Sequence, residues 1–269
     1  MSVLIESPAT FTPHRRALDA PAIVGSATAL PQHRYRQGDL ARVVRSRLPE
    51  EMLRDGMLER FFETVGVRER HFAIPVERIM ELGGFQDRND IYIEAATDLG
   101  ERALRDALAD AGIEPGEVAM LATTSVTGIA VPSLDARLMN RIDLPHSLVR
   151  MPLFGLGCLG GAAGLGRVAD WLRAYPDRCA VLLAVELCSL GFQRDRTIGN
   201  LISTGLFGDG AAAVVLAGAE HPLAGRTGGA ARPRVVASRS AFFPDTERVM
   251  GWDIADNGFN VAGSTPEGT

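Results

Sequence analysis

The stretch Phe154-Gly-Leu-Gly-Cys158-Leu-Gly-Gly161 is the most informative part of the chain, because it places a cysteine between a strand and a helix. Residues 147–154 (SLVRMPLF) predict a short buried strand. Behind the glycines, apolar residues recur at the spacing of one helix face: Leu165, Val168, Ala169 and Leu172.

A thiol in the first turn of a helix lies among unpaired backbone N–H groups and at the positive end of the helix dipole, and both favour the thiolate. The flanking glycines leave room for a bulky acyl group to approach the sulfur. Cys158 is therefore a candidate nucleophile. The alternative is that it acts as a small buried hydrophobic residue, as most single cysteines do.

Composition excludes several classes of protein. The 269 residues are 46% hydrophobic, which is enough to form the core of one large domain or two small ones. The net charge of -5 and the lack of a basic run argue against nucleic-acid binding. The longest apolar run, residues 180–190, contains Glu186 and is too short to span a bilayer. Residues 1–20 have no apolar segment typical of a secretory signal.

The cysteines indicate the redox setting. Their number is odd and their spacing does not match a metal-binding motif, so the sequence predicts no metal site and a reduced, cytoplasmic location. The three are Cys158, Cys179 and Cys188.

Apolar runs and helical patterns alternate along the chain. Strands are predicted over residues 21–30, 118–124, 147–154, 179–187 and 211–217. Helices are predicted over residues 35–70 with a break at Pro49, over 90–111 ending at Gly112, over 132–142, after Cys158, and over 198–204. This alternation predicts an α/β fold, with a mostly parallel sheet and helices on both faces.

The two ends of the chain differ from its middle. Residues 1–20 are expected to be a flexible N-terminal segment, and the polar residues 264–269 a disordered tail. Residues 219–234, rich in Gly, Ala and Arg, predict a surface connection. Two antiparallel strands are expected after it, over residues 235–243 and 247–261, joined around Pro244-Asp245.

Four motifs in a fixed order are Thr127-Gly-Ile-Ala-Val-Pro-Ser133, Gly157-Cys158-Leu-Gly-Gly161, Glu186-Leu-Cys-Ser-Leu-Gly-Phe-Gln193 and Leu206-Phe207-Gly-Asp-Gly-Ala-Ala212. Together they resemble the type III polyketide synthases, the chalcone synthase-like branch of the thiolase-fold condensing enzymes. The resemblance covers roughly residues 21–259. It implies that residues 21–218 form the first βαβαβ half of a thiolase-like fold. Residues 219–263 would then be a connection and the opening strands of a second half that is otherwise absent.

The resemblance also implies a chemistry. Cys158 would take an acyl group from acyl-CoA as a thioester, and decarboxylation of malonyl-CoA would supply the carbanion that extends it. Phe207 would lie above the sulfur, between the CoA tunnel and the acyl cavity, with ordinary packing as the alternative. Asp209 would hold a tight structural turn. CoA thioesters are substrates in this chemistry, and no cofactor is expected.

Further substrate-binding residues are implied in the same way. Glu186, Cys188 and Gly191 would line the acyl cavity, and Val131 would belong to a loop that crosses the interface of a homodimer. Arg60 is similar in position to a cation that contacts CoA phosphates, with a solvated surface arginine as the alternative.

One part of the family pattern has no counterpart. The family carries a catalytic His and Asn in its second half, and no residue of this chain matches either, so we expect the chain alone to condense poorly. Two alternatives therefore stay open: an enzyme like ketoacyl-carrier-protein synthase III, or a non-catalytic protein that dimerises with an intact synthase.

The sequence also suggests a subgroup. Tyr35-Arg36 and residues 246–253 resemble bacterial alkylresorcinol or alkylpyrone synthases. Gly191 would leave space in the cavity wall for an aliphatic tail, so a fatty acyl starter is expected.

Overall fold

The computed structural model describes residues 19–46, 56–192, 203–225 and 232–262. These residues form the strands β1 Ala22–Ala29, β2 His33–Arg36, β3 Glu69–Phe72, β4 Val118–Thr124, β5 Val149–Leu153, β6 Cys179–Leu187, β7 Asp209–Ala217, β8 Gly251–Ala255 and β9 Gly258–Ala262. They form the helices α1 Gln37–Arg45, α2 Met57–Thr64, α3 Val76–Ile79, α4 Phe85–Ala111, α5 Leu134–Met139 and α6 Gly160–Ala174. No helix within these ranges is long and apolar enough to cross a bilayer.

The central sheet has five strands in the order β1-β7-β6-β4-β5. β4 is parallel to both β5 and β6, whereas β7 is antiparallel to both β1 and β6. The sheet is therefore mixed, and the prediction of a mostly parallel sheet is wrong in this respect. The reason is that β7 starts beside the end of β6, where Leu187 pairs with Asp209, so the chain turns back instead of crossing over.

Helices cover both faces of this sheet, as predicted. On one face lies α4, whose predicted apolar stripe is buried: Ala96, Leu99, Ala103 and Ala107. On the other face α6 packs through Val168 and Leu172 against side chains of the sheet such as Leu182. Each leucine buried in this way contributes about 1.5 to 3 kcal/mol, so these two layers supply much of the stability of the fold.

The limits of α4 follow from its sequence. It ends at Gly112, which has a φ of 68° and forms the predicted left-handed C-cap. It begins at Phe85, five residues before the predicted start at 90.

β4 and β6 have the limits that their apolar runs predict.

The segment from residue 35 to residue 70 differs from the helical prediction. Its two ends pair as antiparallel strands, with Tyr35 opposite Arg70. In β3 the buried residues alternate, at Arg70 and Phe72, which is the strand period rather than the helix period. Helices α1 and α2 lie between these strands, and residues 47–55 are outside the described part.

The last strands also differ from the prediction. Residues 251–262 alone form the hairpin β8–β9, and residues 235–243 contain no strand. Asp256 and Asn257 form the two-residue turn, and Gly258, which follows it, has a φ of 120°, a region that favours glycine. The turn therefore lies about twelve residues after Pro244-Asp245.

Three other predictions concern short segments. β5 is an edge strand with exposed positions, so the prediction that residues 147–154 are buried is wrong. The helix predicted over 132–142 is shorter, as α5. Of the helix predicted over 198–204, residues 203 and 204 are described, and they belong to one helical turn over residues 203–206. The tails predicted over 1–20 and 264–269 lie outside the described residues, apart from residues 19 and 20.

The close approach of β1 to α4 gives a first prediction. A Cβ added at Gly25 would lie 2.6 Å from the backbone nitrogen of Ala111 and 2.8 Å from the carbonyl oxygen of Ala107. Because backbone atoms cannot move aside cheaply, Gly25→Ala is expected to lower the free energy of unfolding by about 2 to 3 kcal/mol in urea titration. Gly38→Ala on α1 is the matched control, since nothing lies within 4 Å of its added Cβ. An equal loss in both variants would contradict the prediction.

Candidate active site

A cavity of about 520 Å³ opens where β4, β5 and β6 end. Its wall includes residues within three positions of the end of each of these strands, together with part of the β8–β9 hairpin. Four of the predicted site residues line it: Cys158, Glu186, Cys188 and Phe207. The carboxyl ends of parallel strands are the usual place for a site in an open α/β sheet.

Cys158 lies between β5 and α6, as the glycine-rich stretch predicts. It is the middle residue of a short 3₁₀ helix, Gly157–Leu159, that leads directly into α6. Gly155 and Gly157 have φ values of 85° and 54°, a region that residues with a side chain avoid. These two glycines let the chain turn sharply and present the exposed thiol to the cavity.

Glu186 is the best-anchored group of the wall. Its carboxylate accepts hydrogen bonds from the backbone N–H of Val126 at 3.1 Å and from Thr127 Oγ1 at 2.7 Å. Burial raises the pKa of Glu186, while these hydrogen bonds act in the opposite direction. The carboxylate therefore ties the end of β6 to the segment after β4 and holds the cavity wall in shape.

Behind Glu186 lies a second polar layer that the sequence did not indicate. The Tyr92 hydroxyl donates to Ser125 Oγ at 2.6 Å, and burial raises the pKa of Tyr92 to about 12. Tyr92 comes from α4, and its ring fills the space beside Gly128, where an added Cβ would lie 2.1 Å from it. Only the fold brings these residues together, because Tyr92 and Ser125 are 33 positions apart.

Asp209 is a structural residue, but it links distant segments instead of holding the tight turn that the resemblance implies. Its carboxylate accepts hydrogen bonds from the backbone N–H and the hydroxyl of Ser189 and from the backbone N–H of Ala73, at 2.7, 2.5 and 2.7 Å. Burial raises the pKa of Asp209 to about 6, against these hydrogen bonds and the nearby Arg70 guanidinium. Asp209 thus joins three chain segments behind the cavity and does not line it.

Phe207 lies just before β7, half-buried, on the cavity wall. Its ring centroid is 6.4 Å from that of Trp252, which β8 contributes to the same wall. The sequence did not single out Trp252, since a lone tryptophan in a late strand carries no motif.

The remaining predicted residues lie outside the cavity lining. Gly191 ends the 3₁₀ helix Cys188–Gly191, and a Cβ added there would reach Trp252 at 4.0 Å. Val131 is 87% exposed in the loop before α5, and Arg60 is exposed on α2. The roles of these three residues stay predictions.

The three thiols have different surroundings, which predicts their reactivity. Burial raises the pKa of Cys179 to about 11 and also raises the pKa of Cys188, whereas Cys158 is exposed. We therefore expect iodoacetamide at neutral pH to alkylate Cys158 first, because the thiolate is the reacting form. Peptide mass spectrometry after partial labelling would measure this order. Preferential labelling of Cys179 or Cys188 would contradict it.

Comparison with known proteins shows the family of the chain. The sequence model described as "Chalcone and stilbene synthases, N-terminal domain" matches residues 13–221. A 1,3,6,8-tetrahydroxynaphthalene synthase of Streptomyces peucetius subsp. caesius is 45% identical over 95% of this chain and 67% of its own length. A putative chalcone synthase of Bacillus subtilis is 35% identical over 89% of this chain and 67% of its own length.

The fold gives the same result. The solved 1,3,6,8-tetrahydroxynaphthalene synthase of Streptomyces coelicolor A3(2), a bacterial type III polyketide synthase, superposes with a TM-score of 0.77 at 30% identity. The match covers 91% of this chain and 68% of that structure. The fold is therefore that of the thiolase-like condensing enzymes. Within this class, the chain belongs to the chalcone and stilbene synthase family of type III polyketide synthases. It spans about two thirds of the length of the relatives it matches.

Proposed function

We propose that Cys158 accepts an acyl group from a CoA thioester, as the loading step of a type III polyketide synthase. The thiolate sulfur attacks the thioester carbonyl carbon, a new S–C bond forms, and CoA leaves as a thiolate that takes up a proton. The observation that supports this most is the exposed thiol of Cys158, in a glycine turn before α6, on the wall of a largely apolar cavity.

Phe207 and Trp252 are proposed to control access to that thiol. Both aromatic side chains line the cavity that Cys158 faces, and their rings lie near each other. Phe207 would separate the entrance used by CoA from the space that holds the growing chain. Glu186 and Cys188, on the same wall, would contact the acyl chain.

The decarboxylating groups are proposed to belong to a C-terminal domain like that in the third of the relatives' length that this chain does not cover. Among the described residues, no histidine or asparagine lines the cavity. A carbanion formed from malonyl-CoA needs a donor that stabilises its enolate oxygen. The described residues are therefore proposed to carry the loading step, and the groups that stabilise the enolate are proposed for that domain.

The names of the relatives change the expected substrate. Three relatives, at 45%, 34% and 36% identity, are named 1,3,6,8-tetrahydroxynaphthalene synthase, and another at 31% is named phloroglucinol synthase. These names describe polyhydroxylated aromatic products without an alkyl tail. We therefore propose a short starter such as malonyl-CoA and an aromatic product, in preference to the fatty acyl starter inferred from Gly191.

The experiment that tests this function joins the chain to the C-terminal domain of the S. peucetius relative. The fusion is given malonyl-CoA alone, or malonyl-CoA with acyl-CoAs of increasing length, and the products are separated by liquid chromatography and mass spectrometry. A polyhydroxylated aromatic product from malonyl-CoA alone is expected. A folded fusion that uses only long-chain starters would contradict the substrate proposal, and one that forms no product would contradict the proposed function.

We also propose a homodimer. β5 is one of the two outer strands of the central sheet, and Val149 in this strand and Phe154 directly after it are exposed, as is Val131 in the loop before α5. An open strand edge beside apolar surface is a common self-association surface, and most homodimers pair the same surface twice. Light scattering at micromolar concentration is expected to give a dimer or a larger species. A stable monomer would contradict the proposal.

A further inference from the structure

The turn that carries Phe207 is held by two buried polar side chains from a distant part of the chain. Arg70 of β3 is 4% exposed, and its Nη1 donates hydrogen bonds to the carbonyl oxygens of Thr204 and, at 3.0 Å, Phe207. Gln37, at the start of α1, donates from Nε2 to the carbonyl oxygen of Gly205 at 2.8 Å. Three carbonyl groups of one short segment are thus bound from one side.

The two side chains are also bound to each other. Arg70 Nε donates to Gln37 Oε1 at 3.0 Å, so each fixes the orientation of the other. The guanidinium lies near the rings of Phe62 and Phe72, at 5.9 and 5.6 Å from their centroids. Burial lowers the pKa of Arg70 to about 10, so it stays charged at neutral pH and its hydrogen bonds are charge-assisted.

The strand that carries Arg70 holds the chain on both sides of Gly208. Before this glycine, Arg70 binds the Phe207 carbonyl. After it, the backbone N–H of Ala73, directly beyond β3, binds the Asp209 carboxylate. Gly208 itself lies against the Arg70 side chain, since an added Cβ would be 3.5 Å from its Cγ. The backbone of Phe207 is therefore set by β3, and its ring extends from that fixed point to the cavity wall.

We infer that Arg70, together with Gln37, is a positioning residue that fixes Phe207 at the cavity and thereby sets the size of the group that reaches Cys158. This inference rests on the proposed role of Phe207 in the synthase. Residues outside the cavity lining, on β3 and α1, therefore determine part of the size selectivity for groups that reach Cys158.

The test uses the 269-residue chain and two maleimides that differ only in size, N-methylmaleimide and N-cyclohexylmaleimide. Their rates of reaction at Cys158, read from the Cys158 peptide by mass spectrometry, give a size-selectivity ratio. Acyl transfer is not needed for this measurement. A failure of acyl loading would therefore count against the proposed function and leave this measurement valid.

Phe207→Ala is expected to change the ratio in favour of the larger reagent, and Arg70→Met to change it in the same direction by about threefold to tenfold. In the double variant, Arg70→Met is expected to add nothing to Phe207→Ala, because it acts through Phe207. Hydrogen exchange of residues 203–208 is expected to become about tenfold faster in Arg70→Met. Arg70→Lys keeps the charge and is expected to recover part of both effects.

Arg34→Met is the matched control, since Arg34 lies on the neighbouring strand β2 and pairs with Glu69 at the surface. It is expected to leave both measurements unchanged. If Arg70→Met does not fold, Gln37→Met removes the bond to Gly205 and is expected to give the same changes at smaller size. The inference is overturned if the folded variants keep the wild-type ratio and exchange rates. It is also overturned if the effects of Arg70→Met and Phe207→Ala are additive, or if Phe207→Ala leaves the ratio unchanged.

Discussion

Asp209→Ala is expected to lower the free energy of unfolding by about 3 kcal/mol or more, because it leaves buried donors without an acceptor. The carboxylate binds the backbone N–H groups of Ser189 and Ala73 and the Ser189 hydroxyl. These contacts join the end of β6, the start of β7 and the segment after β3. Urea denaturation followed by circular dichroism would measure the loss. A loss below about 1 kcal/mol, the usual value of one hydrogen bond, would contradict this role.

Asp209→Asn is the matched variant, since it keeps the size of the side chain and one acceptor oxygen. It also tests the pH dependence. The pKa of Asp209 is raised from 3.8 to about 6 in the folded chain, so the folded state binds the proton more tightly than the unfolded state. This difference in pKa therefore adds stability that is full below pH 3.8 and is lost as the pH rises through about 6, whereas the hydrogen bonds from Ser189 and Ala73 remain. The stability of the wild type relative to Asp209→Asn is expected to fall over this range, and a rise would contradict the raised pKa.

Cys158→Ala is expected to abolish acyl loading, because no other described thiol combines exposure with a place on the cavity wall. The measurement is the release of CoA from acetyl-CoA or malonyl-CoA, detected by chromatography. Since Cys158 is exposed, its replacement is expected to leave the stability of the fold nearly unchanged.

Cys188→Ala is the control for this loss. Cys188 lines the same cavity, but burial raises its pKa and keeps its thiol protonated. The variant is expected to retain most of the loading rate. Loading that survives in Cys158→Ala and disappears in Cys188→Ala would show that Cys188, and not Cys158, is the nucleophile.

The sequence predicted best those parts whose pattern is local. β4 and β6 are continuous apolar runs bounded by turn residues, and their limits match the prediction. The turn at Cys158 was predictable because Gly155 and Gly157 adopt backbone angles that favour glycine. The family motifs then indicated the wall residues that follow these elements.

The parts that could not be predicted depend on contacts between distant residues. Arg70 and Phe207 are 137 positions apart, and a buried arginine has no local signature that distinguishes it from a surface one. The direction of β7 depends on the turn back beside Leu187, which the strand pattern does not specify. The strands do not join around Pro244-Asp245, because the hairpin turns between Ala255 and Gly258, and the apolar pattern before residue 251 does not distinguish a strand from an extended loop.

The most direct test of the central claim is to map the thioester itself. The chain is incubated with acetyl-CoA or malonyl-CoA, quenched in acid and digested, and the cysteine peptides are analysed by mass spectrometry before and after treatment with neutral hydroxylamine. We expect one acyl group on the Cys158 peptide, removed by hydroxylamine, and none on the peptides of Cys179 or Cys188. An unmodified Cys158 in a folded chain, or an acyl group on another cysteine, would contradict the claim that Cys158 is the loading nucleophile.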